Sequence, residues 1–206
     1  RLQRPPLEGV DDAYVLCVEL CDASLDAVVQ RRRGRDAPFT APELGHALLA
    51  VASALGYLHA RTILHRDVKA ANVFLKREAQ ASVQADPPGG GCVDLPPLSE
   101  LQVKLGDLGA AKAASRAQTP VQTPAWMAPE AMRLEGYGPA ADVWGLGMLA
   151  YELQELAPPF GPDVQLPQLE EALVAGRRPR LSDDVGCRRR APWAVTLMEQ
   201  CLSSSA

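Results

Sequence analysis

The stretch Ile63-Leu64-His65-Arg66-Asp67-Val68-Lys69-Ala70-Ala71-Asn72 puts a carboxylate, an ammonium and an amide close together, directly after a histidine and an arginine. Groups of these types can orient a hydroxyl, balance an anion and offer a hard oxygen to a cation. The five fixed positions, H-R-D-x-K-x-x-N, arise by accident in a chain of this size on the order of once in ten thousand. A polar helix-to-strand loop whose charges merely face water is therefore the weaker reading. A further carboxylate follows in Gly106-Asp107-Leu108-Gly109, directly after an apolar run. Next come Trp126-Met127-Ala128-Pro129-Glu130 and Asp142-Val143-Trp144-Gly145-Leu146-Gly147. A lone Asp-Leu-Gly would more often be a turn than a metal site, and its place in this order is what gives it weight.

These residues need elements to hold them. Tyr14 to Leu20 is a short apolar, β-branched run that predicts a buried strand, followed by a polar turn at 21–24. Leu25, Val28 and Val29 stand at helical spacing and predict a short helix ending near Gly34. Thr40-Ala41-Pro42-Glu43 is a capping box, and Leu44, Leu48, Val51, Leu55 and Leu58 continue it as an amphipathic helix that stops around Arg61. Val73 to Leu75 and Val103 to Leu105 read as two strands flanking a Pro/Gly-rich insert, 77–102, whose composition predicts a mobile loop that buries little. Pro139 to Leu156 is apolar on nearly every face, with Asp142 as the exception, and predicts a helix in the middle of a domain. Leu166 to Ala175 and Ala191 to Leu202 predict two more helices. The expected class is mainly α with a few short β-strands.

The four motifs in this order resemble the eukaryotic protein kinases, from Tyr14 to the end of the chain with the 77–102 insert as the main interruption. The resemblance implies a partial kinase domain over 1–206, comprising the hinge and the large, C-terminal lobe. It implies transfer of the ATP γ-phosphoryl group to protein Ser/Thr hydroxyls with Mg²⁺ as cofactor. In the family's roles Asp67 orients the substrate hydroxyl, Lys69 contacts the transferring phosphate, and Asn72 and Asp107 bind Mg²⁺. His65 would pack under the metal loop, and Leu108, where the family usually has Phe, would fill an apolar pocket. Asp142 would accept backbone N–H bonds from His65 and Arg66, since an unpaired carboxylate in a buried helix is strongly unfavourable. Val18 aligns with the gatekeeper, Glu19 and Cys21 would offer backbone groups to adenine, and Phe74 would lie beneath the base. Thr119 aligns with an activating phosphothreonine that Arg66 and Lys112 would pair. Lys69 and Thr123-Pro124 resemble Ser/Thr-specific members, Thr123 standing on the substrate side, and several phrases resemble the NIMA-related branch.

Two departures from the family stand out. No Gly-rich phosphate loop and no strand Lys with its helix Glu precede Tyr14, so the small lobe is expected to be absent from this chain. The piece alone is then expected to transfer phosphate negligibly. The Arg that pairs with the family's Ala-Pro-Glu glutamate, here Glu130, would lie past Ala206. The start at Arg1 points to a piece of a longer product. A rival reading keeps the fold and drops the chemistry: a catalytically inactive pseudokinase or kinase-fragment scaffold that holds a protein partner.

Composition narrows the remaining classes. The 206 residues carry 21 Lys+Arg against 25 Asp+Glu, for a net charge of −4, and are 47% hydrophobic, which fits one folded domain and excludes disorder along the whole chain. The acidity argues against a nucleic-acid partner, and Arg31-Arg32-Arg33 and Arg188-Arg189-Arg190 read as solvated faces. Five Cys without a C-x-x-C pair suggest neither a disulfide framework nor a zinc site, and fit a reducing, cytoplasmic setting. No signal peptide and no membrane span are expected. The expected partner is a protein substrate.

Overall fold

A computed structural model describes residues 17–78, 95–110, 112–113, 124–133, 138–161 and 166–203. Helices dominate. α1 (Leu25–Gly34) starts where the Ser24 side chain accepts the Ala27 N–H. α2 (Ala41–His59) starts at the expected capping box, with Thr40 and Glu43 each accepting the other's backbone N–H. Its apolar stripe of Leu44, Leu48, Val51 and Leu55 is buried. α3 (Pro129–Met132) is short, and α4 (Pro139–Glu155) is the buried central helix, with Met148, Leu149, Ala150 and Leu153 wholly shielded from solvent. α5 (Leu166–Val174), α6 (Asp184–Arg190) and α7 (Pro192–Cys201) complete the set.

α4 packs on α2 and on α7. Gly147 makes the second contact possible: a Cβ there would lie 2.7 Å from the Cys201 Cβ and 2.9 Å from Leu202. Any larger residue would force the two helices apart.

Among the described residues, five strands hold the loops that carry the motifs. β1 (Ala23–Ser24), β3 (Val73–Arg77) and β4 (Leu101–Leu105) form one antiparallel sheet in the order β1-β3-β4, with Ala23 opposite Leu75 and Val73 opposite Leu105. β2 (Ile63–Leu64) pairs with β5 (Lys112–Ala113). With period-2 alternation, Val73 and Leu75 face the core, while Phe74 and Lys76 share the other face with their partners Lys104 and Gln102.

Several expectations change. Of the strand expected over 14–20, residues 14–16 lie outside the described residues, and 17–20 form no strand among the described residues, where pairing begins at Asp22, whose N–H reaches the Leu75 carbonyl. The insert is narrower than 77–102. β3 runs through Arg77, and Leu98 and Leu101 are core residues at 2% exposure each, because an apolar side chain beside β4 gains more from burial than the loop loses in freedom. Its stretch 79–94 lies outside the described residues. The first arginine run is not simply a solvated face either: Arg32 forms a two-pronged ion pair with Glu43 and stacks 4.2 Å from the Phe39 ring centre. Arg188 pairs with Asp184 and Glu199 on the surface. Nor is Asp142 the only polar residue buried on α4, since Glu152 and Gln154 are buried there too.

Candidate active site

The helix-to-strand loop after β2 owes its shape to α4. Asp142, 1% exposed, accepts the His65 N–H at 2.9 Å on one oxygen and the Arg66 N–H at 2.7 Å on the other. His59 Nε2 donates to the same carboxylate at 2.8 Å. These bonds hold Arg66 at φ +73, a left-handed conformation that costs a non-glycine residue about 1–2 kcal/mol. Arg66 itself is fully buried.

Past that bend the motif residues converge. Asn72 Nδ2 donates to the Asp67 carboxylate at 2.7 Å and to the Asp67 carbonyl at 2.8 Å. Lys69 Nζ lies 2.7 Å from the same Asp67 oxygen. Because the Asn72 nitrogen is spent on Asp67, its amide oxygen is left without a hydrogen bond among the described residues. The Asn72 carbonyl accepts the Gly106 N–H at 2.9 Å, which the β3–β4 register requires, and so Asp107 follows directly on the neighbouring strand. His65 braces the same junction from below. Its Nδ1 accepts the Asp67 N–H at 3.3 Å and its Nε2 donates to the Gly106 carbonyl at 2.9 Å. Asp107 is exposed, sits at φ +58, and turns one carboxylate oxygen to the Gly109 N–H at 3.2 Å. Strained backbone of this kind concentrates at functional sites.

Asn72 and Asp107 thus lie one backbone junction apart, through the Gly106 N–H that bonds to the Asn72 carbonyl. Hard oxygen donors of these two types, too few to fill a coordination shell, suit Mg²⁺ that keeps its other positions for phosphate and water. Leu108 does not fill an apolar pocket. It is 53% exposed, since the left-handed turn at Asp107 directs the chain outward.

Of the residues expected to meet adenine, Glu19 lies over the outer face of the sheet. The Glu19 carboxylate bridges Lys104 and Lys76, which hold it down to a pKa of about 2. Its backbone and that of Cys21 make no hydrogen bond among the described residues. The Phe74 ring packs under Gly106, where a Cβ would come within 2.8 Å of it, so only glycine fits. Val18 is 76% exposed. Thr119 and Thr123 lie outside the described residues, as does the Lys112 side chain. Glu130 forms no ion pair among the described residues.

Sequence reasoning missed Glu152. It is buried on α4 and accepts the Ala70 N–H and the Trp126 indole N–H, both at 3.1 Å. Burial pushes its carboxyl up to a pKa of about 7. The available signal was the one that singled out Asp142, an acidic residue within an apolar helix.

A bent loop braced by a central-helix carboxylate brings an aspartate, a lysine and an asparagine together, one backbone junction from the strand end that carries a second aspartate. The pattern of the protein kinase domain matches residues 7–205, and the chain belongs to that family, whose members use ATP and Mg²⁺. The serine/threonine-protein kinase hippo of Drosophila melanogaster is 33% identical over 150 residues, covering 71% of this chain and 19% of that protein. The serine/threonine-protein kinase CLA4 of Eremothecium gossypii is 32% identical over 157 residues, covering 75% and 18%. The serine/threonine-protein kinase sid1 of Schizosaccharomyces pombe is 40% identical over 109 residues, covering 51% and 19%. The chain therefore spans about a fifth of the length of these relatives. Among the described residues no helix is long and apolar enough to cross a membrane.

Proposed function

We propose that the protein is a Ser/Thr protein kinase and that this chain supplies the catalytic loop and metal loop of its active site. The observation that carries the reading is the Asp67 carboxylate, which receives Lys69 and Asn72 on one oxygen and stands one junction away from Asp107. Fixed by these partners, the Asp67 carboxylate orients a substrate Ser/Thr hydroxyl and takes its proton as the bond to phosphorus forms. Lys69, already paired with that carboxylate, offsets charge on the phosphoryl oxygens. The Asn72 amide oxygen and Asp107 would hold Mg²⁺, which when bound with ATP neutralises the phosphates. The Glu19 and Cys21 backbone groups would meet adenine, with Phe74 beneath the base. Thr123 would serve the substrate, and phosphorylation of Thr119 would be the regulatory step. The proposal stays at the Ser/Thr class, which the printed names of the three relatives share.

The cleft side opposite the sheet would be supplied by a small lobe, so the test uses the catalytic domain as the full-length protein carries it. Asp67→Asn should lower phosphoryl transfer to a Ser/Thr peptide by about 10²–10⁴-fold, with ATP affinity and thermal stability retained. Transfer that survives Asp67→Asn sinks the reading. A non-catalytic scaffold is favoured by one separate observation, the exposure of Val18 and Leu20 at 76% and 89% beside the sheet. That reading expects partner binding with no transfer even in the wild type.

A further inference from the structure

α1 presents two sets of residues at helical spacing. Asp26, Val29, Gln30 and Arg33 line a cavity together with Trp126 and with Glu152, which accepts the Ala70 N–H of the catalytic loop. Val28, Arg31, Arg32 and Arg35 are displaced by two positions, about 200° around the helix axis, and line a second cavity on the other side. Leu75 of β3, Leu98 and Leu101 of β4 give that cavity an apolar wall, and its volume is about 290 Å³.

The first cavity mixes both signs of charge, with Asp26 and Glu152 against Arg33. The second has three guanidinium groups and, among the described residues, no carboxylate on its wall. The chain as a whole is acidic, 25 to 21, so this wall runs against its surroundings. Two ordinary roles absorb part of the cluster. Arginines in the last turn complement the negative end of the helix, and Arg32 is held by Glu43 and Phe39. Neither role calls for an apolar hollow beside the arginines. Arg35, exposed at the helix cap, forms no ion pair among the described residues.

Volume and charge decide the class of occupant. Small-molecule sites usually span about 300–1,000 Å³, so this cavity suits one or two aliphatic side chains better than a drug-sized ligand. A concave site of this size does not fit a flat lipid surface. Guanidinium groups around an apolar hollow are complementary to an extended peptide that carries an aliphatic side chain between carboxylates.

We propose that this cavity is a docking site for an acidic peptide segment of a protein substrate, with one aliphatic side chain in the hollow and flanking carboxylates on Arg31 and Arg35. The assignment to a substrate rests on the kinase reading above. The site lies on the face of α1 opposite the one beside the catalytic loop, so the segment is held while a separate Ser/Thr of the same partner reaches Asp67. Docking then acts through effective concentration, on KM and not on kcat.

The experiment uses the full-length protein and fluorescein-labelled peptides in which a single Leu, Ile or Met is flanked on both sides by Asp and Glu. Anisotropy should show saturable binding that weakens as salt is added. Replacing the aliphatic residue of the peptide by Ser should weaken binding about tenfold. Arg31→Glu combined with Arg35→Glu should weaken it by about tenfold or more, and Arg31→Gln with Arg35→Gln takes the place of that pair if it does not fold. Ala37→Leu, which fills the cavity and leaves the guanidinium groups in place, should erase the preference for the aliphatic residue over Ser. A Ser/Thr acceptor peptide joined to the docking peptide by a flexible linker should show a KM about tenfold below that of the acceptor alone, with kcat within about twofold. The arginine variant should lose that advantage while phosphorylating the plain acceptor as the wild type does.

Absence of saturable binding, binding indifferent to the aliphatic residue or to both arginine substitutions, or a KM unchanged by the joined peptide would overturn the proposal. So would binding of phosphatidylserine vesicles, and not of the peptides, that depends on Arg31 and Arg35. If the wild type transfers no phosphate to the plain acceptor, the kinase reading falls, and peptide binding with its loss in the variants still decides whether the cavity docks an acidic segment.

Discussion

Two carboxylates on α4 face the same loop from positions ten residues apart and meet different fates. Asp142 spreads three donors over both its oxygens, the His65 and Arg66 N–H groups and His59 Nε2. Glu152 gathers two donors on one oxygen and is also one of the residues that line a cavity. The first is a fully satisfied brace that fixes a strained bend. The second is a partly satisfied link whose protonation changes within the physiological range. Burial alone therefore does not tell what a carboxylate does in this lobe. The number and placement of its donors does.

The largest effect should come from the satisfied group. Asp142→Ala strands two buried backbone N–H groups and releases the left-handed bend at Arg66, and should cost about 3–5 kcal/mol in urea unfolding. A loss no larger than that of a surface substitution would dissolve the contrast.

The next effect belongs to Glu152 and has a definite sign. Its carboxyl is raised from 4.5 to about 7 by burial, so between these values the folded state binds more protons than the unfolded one. The stability this contributes is fully present below about pH 4.5 and is lost as pH rises through about 7, amounting to roughly 3 kcal/mol. Denaturation midpoints measured from pH 4.5 to 8 should fall in the wild type and run flatter in Glu152→Gln. A parallel fall in both proteins would assign the dependence to another group.

The smallest effect should be that of Glu19, an exposed carboxylate between two lysines. Hydrogen bonds from Lys104 and Lys76 lower its pKa to about 2, so what stability it adds is present above about 4.5 and lost only as pH falls through 2. At neutral pH, Glu19→Gln should leave the denaturation midpoint within experimental scatter, because solvent and salt screen surface ion pairs. A salt-sensitive rise in KM for ATP, without change in kcat, would show that the pair steers the adenine-side backbone.

Much of this was legible in the sequence, for identifiable reasons. The capping box at Thr40, the apolar stripe of α2 and the all-round apolar character of α4 are local patterns, and each appears close to where it was expected. The family resemblance carried by the motifs likewise implied that Asp142 would accept the His65 and Arg66 N–H groups, as it does. What escaped was set by long-range pairing. Strands of two residues, such as β1 and β2, carry no periodicity of their own. The burial of Leu98 depends on the strand beside it, in a stretch whose prolines and glycines suggested otherwise. Arg32 read as solvated until Glu43 and Phe39, which only folding brings near, supplied its partners. The exposure of Leu108 follows from the backbone turn at Asp107, which residue type alone does not encode.

The close contact of Gly147 with Cys201 and Leu202 also has a meaning in time. The middle of the central helix is covered by residues synthesised about fifty positions later. At ~5–20 residues per second, a nascent chain would carry that face of α4 uncovered for several seconds, longer than the microseconds in which helices form. During that interval an apolar helix waits for its last partner. Slowing translation downstream of α4 should lengthen the period in which the chain is recognised by chaperones that bind exposed apolar surface, and a substitution such as Gly147→Leu, which keeps α7 from closing, should make that period permanent.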